Sequence, residues 1–201
     1  MVSERVGEVI AARTTEFRAQ SRQLHDAPPF GSLVRVGASE GAYQVYGLVY
    51  LVESTTIDPG ARPIARGSDE IVDEEVYRAH PDLPHVLRTE FAALIVGFGR
   101  GGRVLQHLPP APPPLHYSVY LCDDEELVTF TQGLAHLRTL LQTPNIASDE
   151  LVAAHLRQAA AVRPDGADFL LRAGRELAAV LRDDYHRLAA IVRRVQWESP
   201  S

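Results

Sequence analysis

Five prolines fall within residues 109–114, PPAPPP, and no other stretch of the chain restricts its fold so tightly. Proline has a fixed φ and no backbone N–H, so this run favours extended polyproline II, ends any helix and cannot sit centrally in a sheet. Either side of it the sequence changes character. Before it, apolar residues come in short β-type runs; after it, they mostly come at helical spacing. A literal P-x-x-P, Pro109 to Pro112, also matches a polyproline ligand, but it lies between two folded parts rather than in a free tail.

The runs before the prolines are GEVIAARTTEFRAQ (7–20), SLVRVGA (32–38), YQVYGLVYLVESTTI (43–57), TEFAALIVGF (89–98) and RVLQHL (103–108). They are rich in Val, Ile, Phe, Tyr and Thr and are separated by Pro-Pro, Gly-Ala-Ser-Glu-Gly and Gly-Arg-Gly-Gly, which is how strands and turns are written. Several short strands with little helix between them predict a small barrel or sandwich. The polar stretch 58–88 interrupts the series and carries one short helix near 72–79, lying over the barrel. Residues 116–123, HYSVYLCD, alternate like a further strand just past the prolines.

Beyond residue 124 the period becomes helical. Leu127, Phe130, Leu134, Leu137 and Leu141 are spaced 3-4-3-4, a stripe on one helix that Pro144 and Asn145 end. Ser148, with Asp149 and Glu150 in the first turn, opens a second helix to about 162. Asp165 caps a third, with Leu170, Leu177, Leu181, Tyr185, Leu188, Val192 and Val195 on one face; unbroken from 166 to 196 it would be ~45 Å long. The expected fold is therefore α+β: a β-barrel over 1–108, a proline-rich connection with a short strand over 109–123, and an α-helical domain of about three helices over 124–201.

Composition removes several functions. All 20 basic residues are arginine, so a Walker A loop, a kinase-type lysine and Schiff-base chemistry are excluded. Net charge is −6 and evenly divided, with 11 arginines against 14 acids in residues 1–115 and 9 against 12 in 116–201, unlike a nucleic-acid arm or membrane tail. A single cysteine, Cys122, excludes an internal disulfide. No apolar run approaches the ~18 residues of a membrane span, and the N-terminus lacks the pattern of a secretory signal. A cytoplasmic protein without membrane contact is expected.

No catalytic constellation is complete. Residues 97–102, GFGRGG, match G-x-G-x-x-G, but RVLQHLPP follows where a dinucleotide loop needs a helix, so a glycine-rich hairpin is expected. His80 and His85 are a close pair without an accompanying carboxylate signature, and Pro81 and Pro84 work against a shared helix. The acidic run Asp123–Glu126 sits where a helix begins, where it complements the dipole; Asp183 and Asp184 read as a solvated face. The last helix is locally basic: Arg172, Arg175, Arg182, Arg187, Arg193 and Arg194 face only Glu176, Asp183 and Asp184. These six are the candidate contacts for a partner or for nucleic acid.

The segments Gly7-Glu8-Val9-Ile10, Thr15-Glu16-Phe17, Pro29-Phe30-Gly31-Ser32-Leu33-Val34 and Val45-Tyr46-Gly47-Leu48-Val49 carry a resemblance that covers about residues 6–108. In them the first half resembles the HAS barrel, shared by HerA-type DNA translocases and the ring subunits of rotary ATP synthases. It implies a barrel that mediates subunit association or docks a partner such as a ring ATPase or nuclease. A lysine-free tail stands where the translocases carry their motor, so motor activity does not transfer. The expectation is a stand-alone bacterial collar: a non-enzymatic interaction or assembly module with no cofactor and no metal, acting on a protein partner or as a homo-oligomer. Direct nucleic-acid binding through the barrel surface or the last helix is the alternative.

Overall fold

A computed structural model describes residues 4–38, 42–58 and 60–196. The GEVIAARTTEFRAQ run folds as a hairpin of β1 (Arg5–Ala12) and β2 (Glu16–Ser21). Next come β3 (Leu33–Ala38) and β4 (Tyr43–Thr56), helices α1 (Glu74–Ala79) and α2 (Leu83–Val86), then β5 (Leu87–Arg100), β6 (Arg103–Leu105) and β7 (Ser118–Leu121). The expected turn at 37–41 lies partly outside the described residues. Strand order is β2-β1-β7-β3-β4-β5, and β2 pairs β5 to close a six-stranded antiparallel barrel. One edge of β5 is used twice: residues 90–94 pair with β2 and 98–100 pair with β6.

The sheet register puts residues beyond the proline run inside the barrel. β7 sits between β1 and β3, pairing Val119 with Gly7 and with Val36, and Val119 is fully buried. The division at residue 108 leaves this strand in the connection. The prolines themselves donate nothing to a ladder, and they carry the chain across the barrel from β6 to β7 as an extended strap, with Pro109 and Pro113 buried and the Tyr43 hydroxyl donating to the Ala111 carbonyl at 3.2 Å.

Val9, Phe17, Val36, Val45, Phe91, Ile95 and Val119 fill the barrel. Gly47 makes room for Phe17, whose ring would lie 2.8 Å from a Cβ there. The opposite side chains of the same strands, Leu33, Leu48, Leu94 and Val96, join a second core with the helices. β5 is thus covered on both faces, and residues 89–98 are all buried. That is why TEFAALIVGF reads as a continuous apolar run rather than an alternation.

Among the described residues five helices follow the barrel, not about three: α3 (Asp124–Phe130), α4 (His136–Gln142), α5 (Ser148–Ala161), α6 (Gly166–Val180) and α7 (Tyr185–Gln196). The leucine stripe that predicts one helix spans two, because Gln106 intervenes. Its amide donates to the carbonyls of Phe130 and Gly133, both at 2.8 Å, and its oxygen accepts the His136 N–H at 3.2 Å. One side chain thereby satisfies the C-terminus of α3 and the N-terminus of α4, which a continuous helix would otherwise satisfy itself. The long third helix also breaks, at 181–184. Asp184 accepts the Arg187 N–H at 3.0 Å and starts α7, which folds back along α5 and buries Ile191.

Candidate interaction surface

The break divides the six arginines. Arg172 and Arg175 lie on α6, Arg182 in the connection, and Arg187, Arg193 and Arg194 on α7. Arg172 pairs with Asp165 and Arg182 with Asp183, each at 3.3 Å. Arg187 is a tether: it pairs with Asp149 at 2.7 Å and donates to the Ser148 hydroxyl at 2.9 Å and the Leu141 carbonyl at 3.3 Å, fastening α7 to the α4–α5 corner. Arg194 pairs with Glu150 and donates to the Ala190 carbonyl at 3.0 Å. Arg175 and Arg193 are exposed, and neither has a carboxylate partner among the described residues.

Folding α7 back leaves a groove of about 570 Å³ between α6 and α7. Leu156 and Leu177 lie at its buried floor, and Leu170, Leu171, Val192 and Val195 wall it. Leu171 is 63% exposed, against the 1% of Leu156, so apolar surface continues from core to solvent. Gly174 lies within the lining, and a Cβ on it would meet nothing within 4 Å. A glycine there costs the helix about 1 kcal/mol against alanine, and no close approach requires it. Among the described residues that line the groove, the charged one is Arg175. Sequence periodicity places Leu170, Leu177, Val192 and Val195 on one face; it does not show that the helix folds on itself and turns that face into a groove.

The other sequence candidates fall apart or serve the fold. His80 ends α1 and His85 lies in α2, and among the described residues no three His, Cys, Asp or Glu side chains gather as a metal needs. Asp123 and Glu126 form a reciprocal cap on α3, at 3.0 and 3.1 Å, and Glu126 also pairs with Arg35 at 2.6 Å. Burial, with Glu126 close by, pushes the Cys122 thiol well up, which keeps it protonated and unreactive. GFGRGG forms the tight β5–β6 turn. His116 accepts φ 65° where the proline strap turns into β7, and lies 2.9 Å from Glu8.

Three polar groupings have no signature in the sequence. His25, at φ 64°, meets the Tyr77 hydroxyl at 2.7 Å and the Ser54 hydroxyl at 3.4 Å, while Thr89 bonds both Ser54 and the His25 N–H. This ties the 58–88 excursion to the barrel. A second cleft, about 660 Å³, opens where Glu16 and Tyr50 of the barrel meet the α4–α5 loop. Tyr50 donates to Glu16 at 2.5 Å, and burial together with that carboxylate raises the phenol to about 12, so the pair is internally satisfied. The third, His136 with His155, is wholly buried between α4 and α5. Among the described residues no helix is long and apolar enough to cross a membrane. No protein-family model and no curated protein matches this sequence.

Proposed function

We propose that this chain is a non-enzymatic protein-interaction module, in which a HAS-type barrel is the rigid scaffold and the α6–α7 groove receives an amphipathic helix from a protein partner. The observation that carries this is the groove: contiguous apolar side chains reaching the surface, with Arg175 free of any carboxylate at its edge among the described residues. Such a site suits leucine anchors at i, i+4 and i+7 flanked by glutamate. The 15 residues of α6 give it a length of ~22 Å at 1.5 Å per residue, enough for three to four turns of a docked helix. The barrel resemblance points to a ring ATPase or a nuclease as the source of that helix. Nucleic-acid binding draws on the same arginines, and four of the six already hold a carboxylate, so docking of an acidic helix is the better supported reading.

The test is fluorescence anisotropy with a labelled leucine- and glutamate-patterned helical peptide against the full chain, alongside Leu171→Asp and Arg175→Glu. Binding is expected to disappear in the first variant and to weaken about tenfold in the second. Equal affinity for a scrambled peptide, or no effect of Leu171→Asp, rules the reading out. Light scattering that finds a dimer dispersed by Leu171→Asp would replace the foreign helix with a second copy of this chain.

A further inference from the structure

α6 holds two glycines, Gly166 and Gly174, and the fold accounts for one of them. A Cβ on Gly166 would lie 2.6 Å from the Ala160 carbonyl, so the end of α5 requires that glycine. Gly47 and Gly97 in the strands are required in the same way, with neighbours at 2.8 and 2.5 Å. Gly174 has no such neighbour: a Cβ there meets nothing within 4 Å, and its φ is not positive. It stands in the middle of a 15-residue helix, where only proline is less favourable. Among the described residues, no contact within the chain calls for it.

The helical wheel places that open space inside the α6–α7 groove. At about 3.6 residues per turn, Gly174 stands about 60° around α6 from Leu177, and Leu171 stands about 120° from it in the same sense. Leu177 is buried at the floor and Leu171 is the exposed rim, so Gly174 lies halfway up the α6 wall, with Ala178 one turn further on. The wall is tall at Leu170 and Leu171 and low at Gly174 and Ala178; Val192 of α7 also lines the groove. The low stretch is a notch bounded by apolar side chains and open to solvent.

We propose that Gly174 is the specificity-determining position of this groove: its bare backbone seats one apolar anchor of the docked helix, a side chain of leucine size or larger, which a Cβ at position 174 would lift off the wall. The inference rests on the reading that the groove receives an amphipathic helix, and it adds where one anchor sits and what size that anchor has. A leucine entering the notch meets Leu170, Leu171 and Leu177 at close-packed distances, whereas an alanine in its place leaves the notch unfilled. Once the notch is filled, even one added methyl group on α6 overpacks it. Anchors buried in a pocket of this kind carry most of the affinity of an interface. The free chain keeps the weakness of a mid-helix glycine, and the complex fills the space that the glycine leaves.

The experiment is a double-mutant cycle read by fluorescence anisotropy on the full chain, wild type against Gly174→Ala. The probes are the leucine- and glutamate-patterned helical peptide and three versions of it, each with one leucine anchor trimmed to alanine. Gly174→Ala should weaken the parent peptide about tenfold, while its thermal melt stays at or above that of wild type, so the loss does not come from misfolding. One trimmed peptide should escape that loss and bind both proteins equally, which identifies the anchor over Gly174; the other two should lose as much as the parent does. Equal binding of the parent peptide to both proteins overturns the proposal, and so does a loss shared evenly by all four peptides. Either result, with Leu171→Asp still abolishing binding, removes the notch and leaves the groove. Absence of binding to wild type, or indifference to Leu171→Asp, removes the groove reading and this inference with it.

Discussion

Acidification should unlock the helical half through His136 and His155. Both side chains have 0% exposure, their rings meet edge to face at 5.2 Å, and Phe130 lies 5.1 Å from His136. None of the four ring nitrogens has a hydrogen-bond partner among the described residues. The cation facing them is Arg163, which donates to the Ala159 carbonyl at 2.7 Å and to Thr131, and lies over Phe169 at 3.9 Å. Burial drives His155 down to about 4; the Gly31 backbone offsets this in part, although its geometry falls short of a hydrogen bond, and Arg163 adds to the fall. Burial, and then His155, holds His136 well below the usual range.

Both folded-state values lie below the ~6.5 of an unfolded histidine. Above that pH neither state binds a proton and the pair adds no pH dependence. Below it the unfolded chain takes up protons that the folded chain refuses until about pH 4, so stability falls across the window from 6.5 to 4. For His155 alone, about 2.5 pH units at 1.36 kcal/mol each give a loss of about 3 kcal/mol, and His136 works in the same direction. Against a total of roughly 5–15 kcal/mol this is decisive. Urea denaturation of wild type and His155→Leu at pH 7.5, 6, 5 and 4.5 measures it. The variant should lose about half of the slope between pH 6.5 and 5, above the carboxylate range, because His136 keeps its own share, and it should be at least as stable at pH 7.5, since it deletes two orphaned nitrogens. An unchanged slope in that window would refute the reasoning.

Gly31 combines φ 86° with a close approach: a Cβ there would lie 2.8 Å from Ala154 Cβ and 3.1 Å from the backbone nitrogen of His155 in α5. Gly31→Ala should therefore cost about 2 kcal/mol or more, read as a drop in denaturation midpoint at unchanged m-value. Gln106→Leu leaves two carbonyls and one N–H at the α3–α4 break without their partner, so a loss of about 2–4 kcal/mol is expected, with faster amide exchange at Phe130, Gly133 and His136. Gly174→Ala should go the other way and raise stability by about 1 kcal/mol in thermal or urea unfolding, since its Cβ meets nothing.

What could be read from the sequence was what neighbouring residues settle among themselves. Alternating apolar runs bounded by Gly and Pro mark the strands of a barrel, 3-4 spacing marks the helices, and GRGG marks a tight hairpin, because backbone preference and side-chain period act over a few residues. The short helix expected near 72–79 is α1, Glu74–Ala79, for the same reason. Tertiary structure decided the rest. β7 enters the barrel between β1 and β3 although the prolines precede it, because only the closed sheet offers edges on both sides for those four residues. Gln106 cuts one leucine stripe into two helices from 24 residues away, and Arg187 fixes α7 against Asp149 across 38. The groove and the pairing of Arg187 with Asp149 and of Arg194 with Glu150 are likewise relations between distant residues. Local pattern dictates which face of an element is apolar; packing alone determines which neighbour covers that face, and which part of it stays open.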